Sequence, residues 1–365
     1  MASRNIESIE NGVLNEETHY NKMPEGDSST KSNMAKWWLL GINCVCTVLG
    51  TIAGPLLLRL YFLHGGNRKW IPSWLETAGV PALLGPLTVL YLRERASGVR
   101  FLAPTKLLLL SAGIGLLAGL NNFMYSLGLS FLPVSTSSLL LSTQLAFTAF
   151  FAFLIAKQKF TPYSTNAVVL MTLGAVLLGL TKSGDRPPGV SNKDYLLGFI
   201  LTLGAAGLLG FILPCCEVSY ATARKTITYS VVLQFQFGVN FFATVFCTIG
   251  MLINKDFQAI PREANAFELG AVKYYMVLVS IAIVWQMAVV GLLGVVFCTT
   301  SLFAGVLNAT LLPLTEIAAV IVYHEKFTGE KGMALALCSW GFISYFYGSY
   351  KENKKQKALS ETESR

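Results

Sequence analysis

The sequence predicts an all-α integral membrane protein with ten transmembrane helices arranged as two inverted five-helix repeats. Of its 365 residues, 53% are hydrophobic and only 13% are charged, which is about half the charged fraction of a soluble domain. Apolar runs of about 20 residues recur along the whole chain, and each can cross a hydrocarbon core about 30 Å thick. Short sequence echoes between the two halves indicate an internal duplication.

The apolar runs lie between two polar terminal segments. We predict spans at residues 37–63, 70–92, 105–129, 134–156, 162–181, 195–221, 227–253, 271–297, 300–323 and 331–349. They divide into a first repeat at 37–181 and a second repeat at 195–349. Residues 1–36 are polar, acidic and rich in Ser, Asn and Glu, so we expect a disordered cytosolic tail. Residues 350–365 form the second cytosolic tail.

The distribution of basic residues predicts the orientation. With the N-terminus inside, 17 of the 28 lysines and arginines fall in predicted cytosolic segments and 10 in the opposite loops. Because basic residues collect in cytosolic loops, we expect both termini in the cytosol. The net charge of +8 then reflects membrane orientation, and nucleic acid is not an expected partner.

Two short echoes indicate the duplication. The pattern Pro-x5-Tyr occurs at 55–61 and 214–220, near the ends of spans one and six, and Lys-Phe-Thr occurs at 159–161 and 326–328. The two copies of each pattern are separated in sequence by about half of the apolar region, as two five-span halves of slightly different length would produce. Because five is odd, the halves cross the membrane in opposite directions, and inverted repeats of this kind place a substrate site near the midplane.

Three acidic residues lie within the predicted spans, and each needs a partner or a function there. Glu316 lies near mid-depth of span nine, three residues after Pro313, so we expect it to carry a coupled proton; a hydrogen-bonded structural role is the alternative. Glu217 lies near the cytosolic end of span six, where proton coupling, gating and simple solvation all fit. Glu76 and Arg59 lie at similar depths and are expected to form a structural ion pair.

Amide and aromatic side chains cluster near mid-depth in the predicted spans. A planar heterocycle needs groups that donate and accept hydrogen bonds along a ring edge, and aromatic faces on which to stack. The predicted substrate-binding residues are Asn121, Tyr125, Gln144, Phe147, Gln236, Asn240, Trp285, Gln286 and Asn308. The alternative for each amide is a structural hydrogen bond between helices. No histidine, cysteine or acidic cluster predicts a metal site, and no cofactor is expected.

Four segments carry a family resemblance. Residues 121–160, NNFMYSLGLSFLPVSTSSLLLSTQLAFTAFFAFLIAKQKF, resemble the third and fourth spans of plant purine permeases, which are members of the drug/metabolite transporter superfamily. Similar segments are RLYFLHGGNRKW (59–70), TSLFAGVLNATLLPLTEIAAV (300–320) and WGFISYFYGSY (340–350). The resemblance implies a carrier in the plasma membrane that takes up adenine, cytokinins or related bases together with protons. Relatives that carry alkaloids or vitamin B6 leave the ligand open, and the oligomeric state is not indicated.

Other functional classes fit the sequence less well. An intramembrane enzyme would need a zinc motif or an acid and histidine cluster in the spans, and the sequence has neither. A nucleotide-sugar antiporter would need a basic side chain at mid-depth, but Arg59, the one basic residue well inside a predicted span, is peripheral. A seven-helix receptor fits neither the span count nor the repeat, and a channel would not need inverted repeats that alternate access.

Overall fold

The structure is a computed structural model that describes residues 28–96, 104–157, 161–180, 190–222, 229–324 and 327–363. These residues form thirteen α-helices and no strand, which confirms the prediction of an all-α protein. An apolar helix satisfies its own backbone hydrogen bonds in lipid, and this is why such sequences fold as helices. Six segments of the described chain are long and apolar enough to cross a membrane: Trp37–Leu63, Trp70–Leu92, Thr105–Phe131, Asn192–Thr222, Ser230–Ile253 and Ala271–Cys298.

The helices follow one another with short connections. They are α1 (Ser28–Leu63), α2 (Trp70–Ala78), α3 (Pro81–Ala96), α4 (Thr105–Phe131), α5 (Val134–Ser142), α6 (Gln144–Ile155), α7 (Pro162–Leu180), α8 (Asn192–Thr222), α9 (Tyr229–Ile253), α10 (Asp256–Ala266), α11 (Ala271–Cys298), α12 (Ser301–Tyr323) and α13 (Gly329–Glu363). The chain divides into two compact units, Met1–Ile42 and Asn43–Arg365. The first contributes the beginning of α1, and the second contains every contact described below.

The predicted span 70–92 is two helices, α2 and α3, and not one. Pro81 has no backbone N–H group to donate to the carbonyl of Thr77, and proline is favoured at the first position of a new helix. The chain turns here, and the backbone N–H of Val80 donates to the carbonyl of Thr77 at 3.2 Å. The break at Gly79 and Val80 therefore interrupts the second span partway along its length.

The predicted span 134–156 is also divided, into α5 and α6, which meet at Thr143. The hydroxyl of Thr143 donates to the carbonyl of Leu140 at 2.7 Å, and such local bonds of threonine compete with regular helical geometry. The second helix of this span begins at Gln144. The break thus places a predicted site residue at the start of a helix.

Two other helix limits and one additional helix differ from the prediction. α1 begins at Ser28, inside the predicted tail 1–36, and α13 continues to Glu363, beyond the predicted end of the last span. α10 lies outside all ten predicted spans. Its buried residues, which include Asp256 and Ala264, lie on one face, as expected for a short helix packed along the end of a bundle.

Helices from the two halves of the chain pack on each other. α4 packs against α8 and α9, α2 against α9 and α11, α12 against α5 and α6, and α7 against α13. Glycine allows the closest approaches: a Cβ atom on Gly50 of α1 would lie 2.4 Å from the Cβ of Ala288 in α11. A Cβ on Gly198 of α8 would lie 3.1 Å from the carbonyl oxygen of Gly128 in α4. Small residues commonly permit such packing in membranes.

The loop 64–69 is held against α10 by polar contacts, which we call the loop cluster. Arg68 and Asp256 form an ion pair, with 3.1 Å between Nη1 and Oδ1. Glu263 accepts hydrogen bonds from the Tyr61 hydroxyl at 2.6 Å and from the backbone N–H of Asn67 at 2.9 Å. These contacts fix the end of α1 against the helix that precedes α11.

Glu263→Gln is expected to reduce the pH dependence of stability. Burial raises the pKa of Glu263, and hydrogen bonds from Tyr61 and Asn67 and the charge of Arg68 offset only part of that rise. A raised pKa means that the carboxyl contributes most stability below its unfolded pKa and loses it as the pH rises through its folded pKa. Thermal unfolding in detergent at pH about 5 and about 7.5 tests this linkage. The unfolding temperature of the wild type should rise more from the higher to the lower pH than that of the variant. An equal rise in both proteins would contradict the raised pKa of Glu263.

Candidate functional site

Two aromatic side chains from opposite halves of the chain meet in the interior. The rings of Tyr125 in α4 and Trp285 in α11 have centroids 5.7 Å apart and an interplanar angle of 68°. They pack beside the buried residues Leu58 and Ala319. A Cβ atom on Gly54 of α1 would lie 2.9 Å from the Trp285 indole, so glycine is needed for α1 to approach the ring. We call Tyr125 and Trp285 the aromatic pair.

A chain of hydrogen bonds joins three helices, α1, α6 and α12. The Nδ2 of Asn308 in α12 donates to the Oε1 of Gln144 in α6 at 2.7 Å, and the Thr51 hydroxyl donates to the Oδ1 of Asn308 at 3.2 Å. The hydroxyl of Thr315 lies 3.2 Å from the carbonyl oxygen of Thr51 and 3.1 Å from that of Leu311, and its one proton is shared between these two acceptors. In this amide junction, the buried Nε2 of Gln144 has no partner among the described residues, so its two N–H donors are left for a ligand or a water molecule.

Gln286 follows Trp285 and is 4% exposed. Both polar atoms of its side chain have no hydrogen-bond partner in the described part of the chain. It lines a largely apolar cavity of about 580 Å³ between α2 and α11. Gly79, at the break after α2, packs on it, because a Cβ there would lie 2.7 Å from the Cβ of Gln286. Since buried polar groups are normally hydrogen-bonded, this amide is available for a ligand.

Three further predicted amides have hydrogen-bonding capacity that is unused, the buried Gln236 and Asn240 and the half-buried Asn121. Gln236 donates to the carbonyl oxygen of Val290 at 3.4 Å, and Asn121 donates to the side chain of Asn122 at 3.3 Å. The Oε1 of Gln236, the Nδ2 of Asn240 and the Oδ1 of Asn121 have no partner within the described ranges. Asn121 precedes Tyr125 by about one helical turn, so it lies on the same face of α4 as the aromatic pair.

Phe147 lies apart from the aromatic pair, where α6 crosses α8. A Cβ atom on Gly210 of α8 would lie 2.6 Å from the Cβ of Phe147. The residue therefore packs two helices together in this structure. Its predicted contact with substrate stays a prediction.

The predicted ion pair between Arg59 and Glu76 is not formed. Both residues lie within the described ranges, and no ion pair joins them there, unlike Arg68 and Asp256 of the loop cluster. Arg59 precedes Tyr61 by two residues, or about 200° around a helix. Tyr61 packs with Ile71 of α2, so Arg59 leaves α1 on the opposite side from the helix that carries Glu76.

Glu217 links α8 to the start of α12. Its Oε2 accepts a hydrogen bond from the backbone N–H of Ser301 at 2.9 Å. A helix N-terminus carries unpaired N–H groups and a partial positive charge, which an ionised carboxylate satisfies. Glu316 lies further along the same helix, but its side chain is outside the described part of the structure. Its role in proton coupling stays a prediction.

Comparisons with known proteins identify the family. The chain matches the profile of a family described as purine nucleobase transmembrane transport over residues 38–355. It is 44% identical to purine permease 3 of Arabidopsis thaliana over 332 residues, which cover 89% of this chain and 95% of the relative. It is 46% identical to purine permease 2 of the same plant over 337 residues, with coverages of 88% and 94%.

A crystal structure of a protein with 18% sequence identity has the same fold, with a TM-score of 0.50 over 82% of this chain and 97% of the other. At that identity the likeness concerns the fold alone. The relatives named above are permeases and not enzymes, in agreement with the resemblance seen in the sequence. The chain therefore belongs to the purine permease family of multi-pass membrane transporters.

Proposed function

We propose that the protein is a secondary active transporter that takes up purine-like bases, such as adenine and cytokinins, together with protons across the plasma membrane. The observation that carries the proposal is the aromatic pair with buried amides around it. Tyr125 and Trp285 offer ring faces, and Gln286 and Asn121 have unused donors or acceptors. Flat heterocycles require this combination. Alkaloids and vitamin B6 are alternative substrates of the same chemistry.

The proposed architecture is ten spans in two inverted repeats. If the two halves are equivalent, each span has a counterpart in the other half: span one corresponds to span six, span two to span seven, and so on. Replacing both spans of an observed contact by their counterparts should then give another observed contact. The contact of α4 with α8 corresponds to that of α1 with α11, and the contact of α4 with α9 corresponds to that of α2 with α11. The contacts of α2 with α9, of α6 with α12 and of α7 with α13 join equivalent spans. This pairing supports a duplicated bundle with a site between its halves.

Proton coupling is assigned to Glu316, with Glu217 in a supporting role. An acid near mid-depth can bind a proton from one side and release it to the other when the carrier changes state. Because Glu217 caps α12 through Ser301, a change at this cap would move the helix that carries Glu316 and Asn308. Substrate and proton would then act on one helix.

Both termini are expected to face the cytosol. The excess of basic residues on the predicted cytosolic side and an even number of spans require this orientation. Epitope tags at each end, detected in intact and in permeabilised cells, test it. Labelling of either tag before permeabilisation would refute the topology.

Competition against uptake of labelled adenine in cells tests the substrate class. We expect unlabelled adenine and cytokinins to compete strongly and a nucleotide sugar not to compete, because no basic side chain lies at mid-depth to bind a diphosphate. An alkaloid and vitamin B6 belong in the same panel. If cells expressing the protein took up no more adenine than cells with empty vector, at confirmed surface expression, the proposal would be wrong.

A further inference from the structure

Glu76 has no role in the function proposed above. It is 2% exposed, and its Oε1 has no hydrogen-bond partner among the described residues. An unpaired carboxyl inside a membrane protein is costly and needs a compensating function. Since the expected ion pair with Arg59 is not formed, the structure leaves this acid unexplained.

The surroundings of Glu76 belong to the candidate site. Its carboxyl lies within electrostatic range of the phenol of Tyr125 in α4 and of the thiol of Cys247 in α9. Three residues further along the chain, Gly79 packs on Gln286 of α11. Glu76 thus lies among α2, α4, α9 and α11, and it is near one member of the aromatic pair.

The backbone beside Glu76 is also unusual. α2 ends at Ala78, two residues after the acid, and the chain resumes as α3 at Pro81. Interrupted helices near mid-depth are a common feature of transporter binding sites, because they expose polar groups to the ligand. The acid, the broken helix and the aromatic pair therefore coincide in one place.

We propose that Glu76 contacts the substrate directly, and that it recognises the edge of a heterocycle where a hydrogen-bond donor lies beside an acceptor. This inference rests on the proposed function. A protonated carboxyl has one O–H donor and one carbonyl acceptor. It can therefore pair with an amino group and a neighbouring ring nitrogen, while Trp285 or Tyr125 stacks on the ring face.

Glu76→Leu and Glu76→Gln test the proposal with four substrates: adenine and its 1-deaza, 3-deaza and 7-deaza analogues, each analogue lacking one ring-nitrogen acceptor. Uptake KM is measured at matched surface expression. The leucine variant loses both hydrogen bonds, so its KM for adenine should rise about 10- to 100-fold. The glutamine variant keeps a donor and an acceptor and should stay within about threefold of the wild type.

The analogues separate a contact with substrate from a structural role. If Glu76 pairs with one edge, the leucine substitution should raise the KM of the analogue that lacks that edge's acceptor clearly less than it raises the KM of the other three substrates, because that analogue makes only one of the two hydrogen bonds with the wild type. An equal rise in KM for all four substrates would overturn the proposal. Failure of the wild type to transport adenine would instead refute the proposed function, so the two outcomes are distinct.

Thr202→Val is a matched control. Thr202 is fully buried in α8, and its hydroxyl also has no partner among the described residues. It packs against Gly128 of α4, about one helical turn beyond Tyr125, so the control removes a different buried polar group next to the same helix. The substitution keeps the shape and removes the hydroxyl. It should leave the KM of all four substrates unchanged, which would show that loss of a buried polar group alone does not alter recognition.

Discussion

Glu316→Gln is expected to abolish accumulation of substrate against a gradient while leaving binding and exchange intact. Glutamine keeps the size and the hydrogen-bonding capacity of the side chain but cannot titrate, so the carrier can still bind base and change state. It can no longer couple that change to a proton. Counterflow of labelled adenine in liposomes should persist, and net accumulation driven by a proton gradient should disappear.

Glu217→Gln is the control for this experiment. Glutamine retains an acceptor oxygen for the backbone N–H of Ser301, so the cap of α12 is kept. We expect this variant to accumulate substrate, with altered rates at most. If Glu316→Gln kept full accumulation and Glu217→Gln lost it, the coupled proton would have to be assigned to Glu217.

Trp285→Ala is expected to weaken substrate affinity much more than Trp340→Ala. Removal of an aromatic ring that stacks on a base costs about 1–3 kcal/mol, or about 5- to 150-fold in affinity. Trp285 packs with Tyr125 in the interior, whereas Trp340 is 63% exposed in α13. Similar losses in the two variants, at matched surface expression, would argue against a binding site at the aromatic pair.

The sequence predicted the helices well because each depends on a local property. An apolar run of sufficient length becomes a helix wherever it meets lipid, and most predicted limits lie within a few residues of the observed ones. The breaks after α2 and α5 depend on finer features. Pro81 was visible in the sequence, but its effect on span length could not be separated from that of Pro55, which α1 accommodates within one continuous helix.

The sequence indicates candidate site residues but not the contacts between them. Tyr125 and Trp285 are 160 residues apart in the sequence, and no local pattern predicts that their rings are in contact. The same holds for Gln144 and Asn308, and for the cap that Glu217 provides to a helix 84 residues later. Such contacts depend on how the helices pack, and packing is strongly affected by small residues spread over the whole chain.

Arg59 and Glu76 show the limit of an argument from depth. Two opposite charges at similar depth form a pair only if both helices turn them toward each other, and periodicity places Arg59 on the far side of α1 from Tyr61. The contacts of Tyr61 with α2 show how α1 is rotated about its own axis, which the depth of the residues does not show. Because this rotation turns Arg59 away from α2, Glu76 becomes a candidate for substrate contact.

Uptake of labelled adenine into proteoliposomes, with the external medium more acidic than the lumen, tests the central claim most directly. We predict that adenine accumulates inside above its external concentration, that a protonophore abolishes the accumulation, and that a nucleotide sugar is not taken up. Entry no faster than into protein-free vesicles, or uptake that is unchanged when the proton gradient is removed, would contradict proton-coupled transport of purine bases.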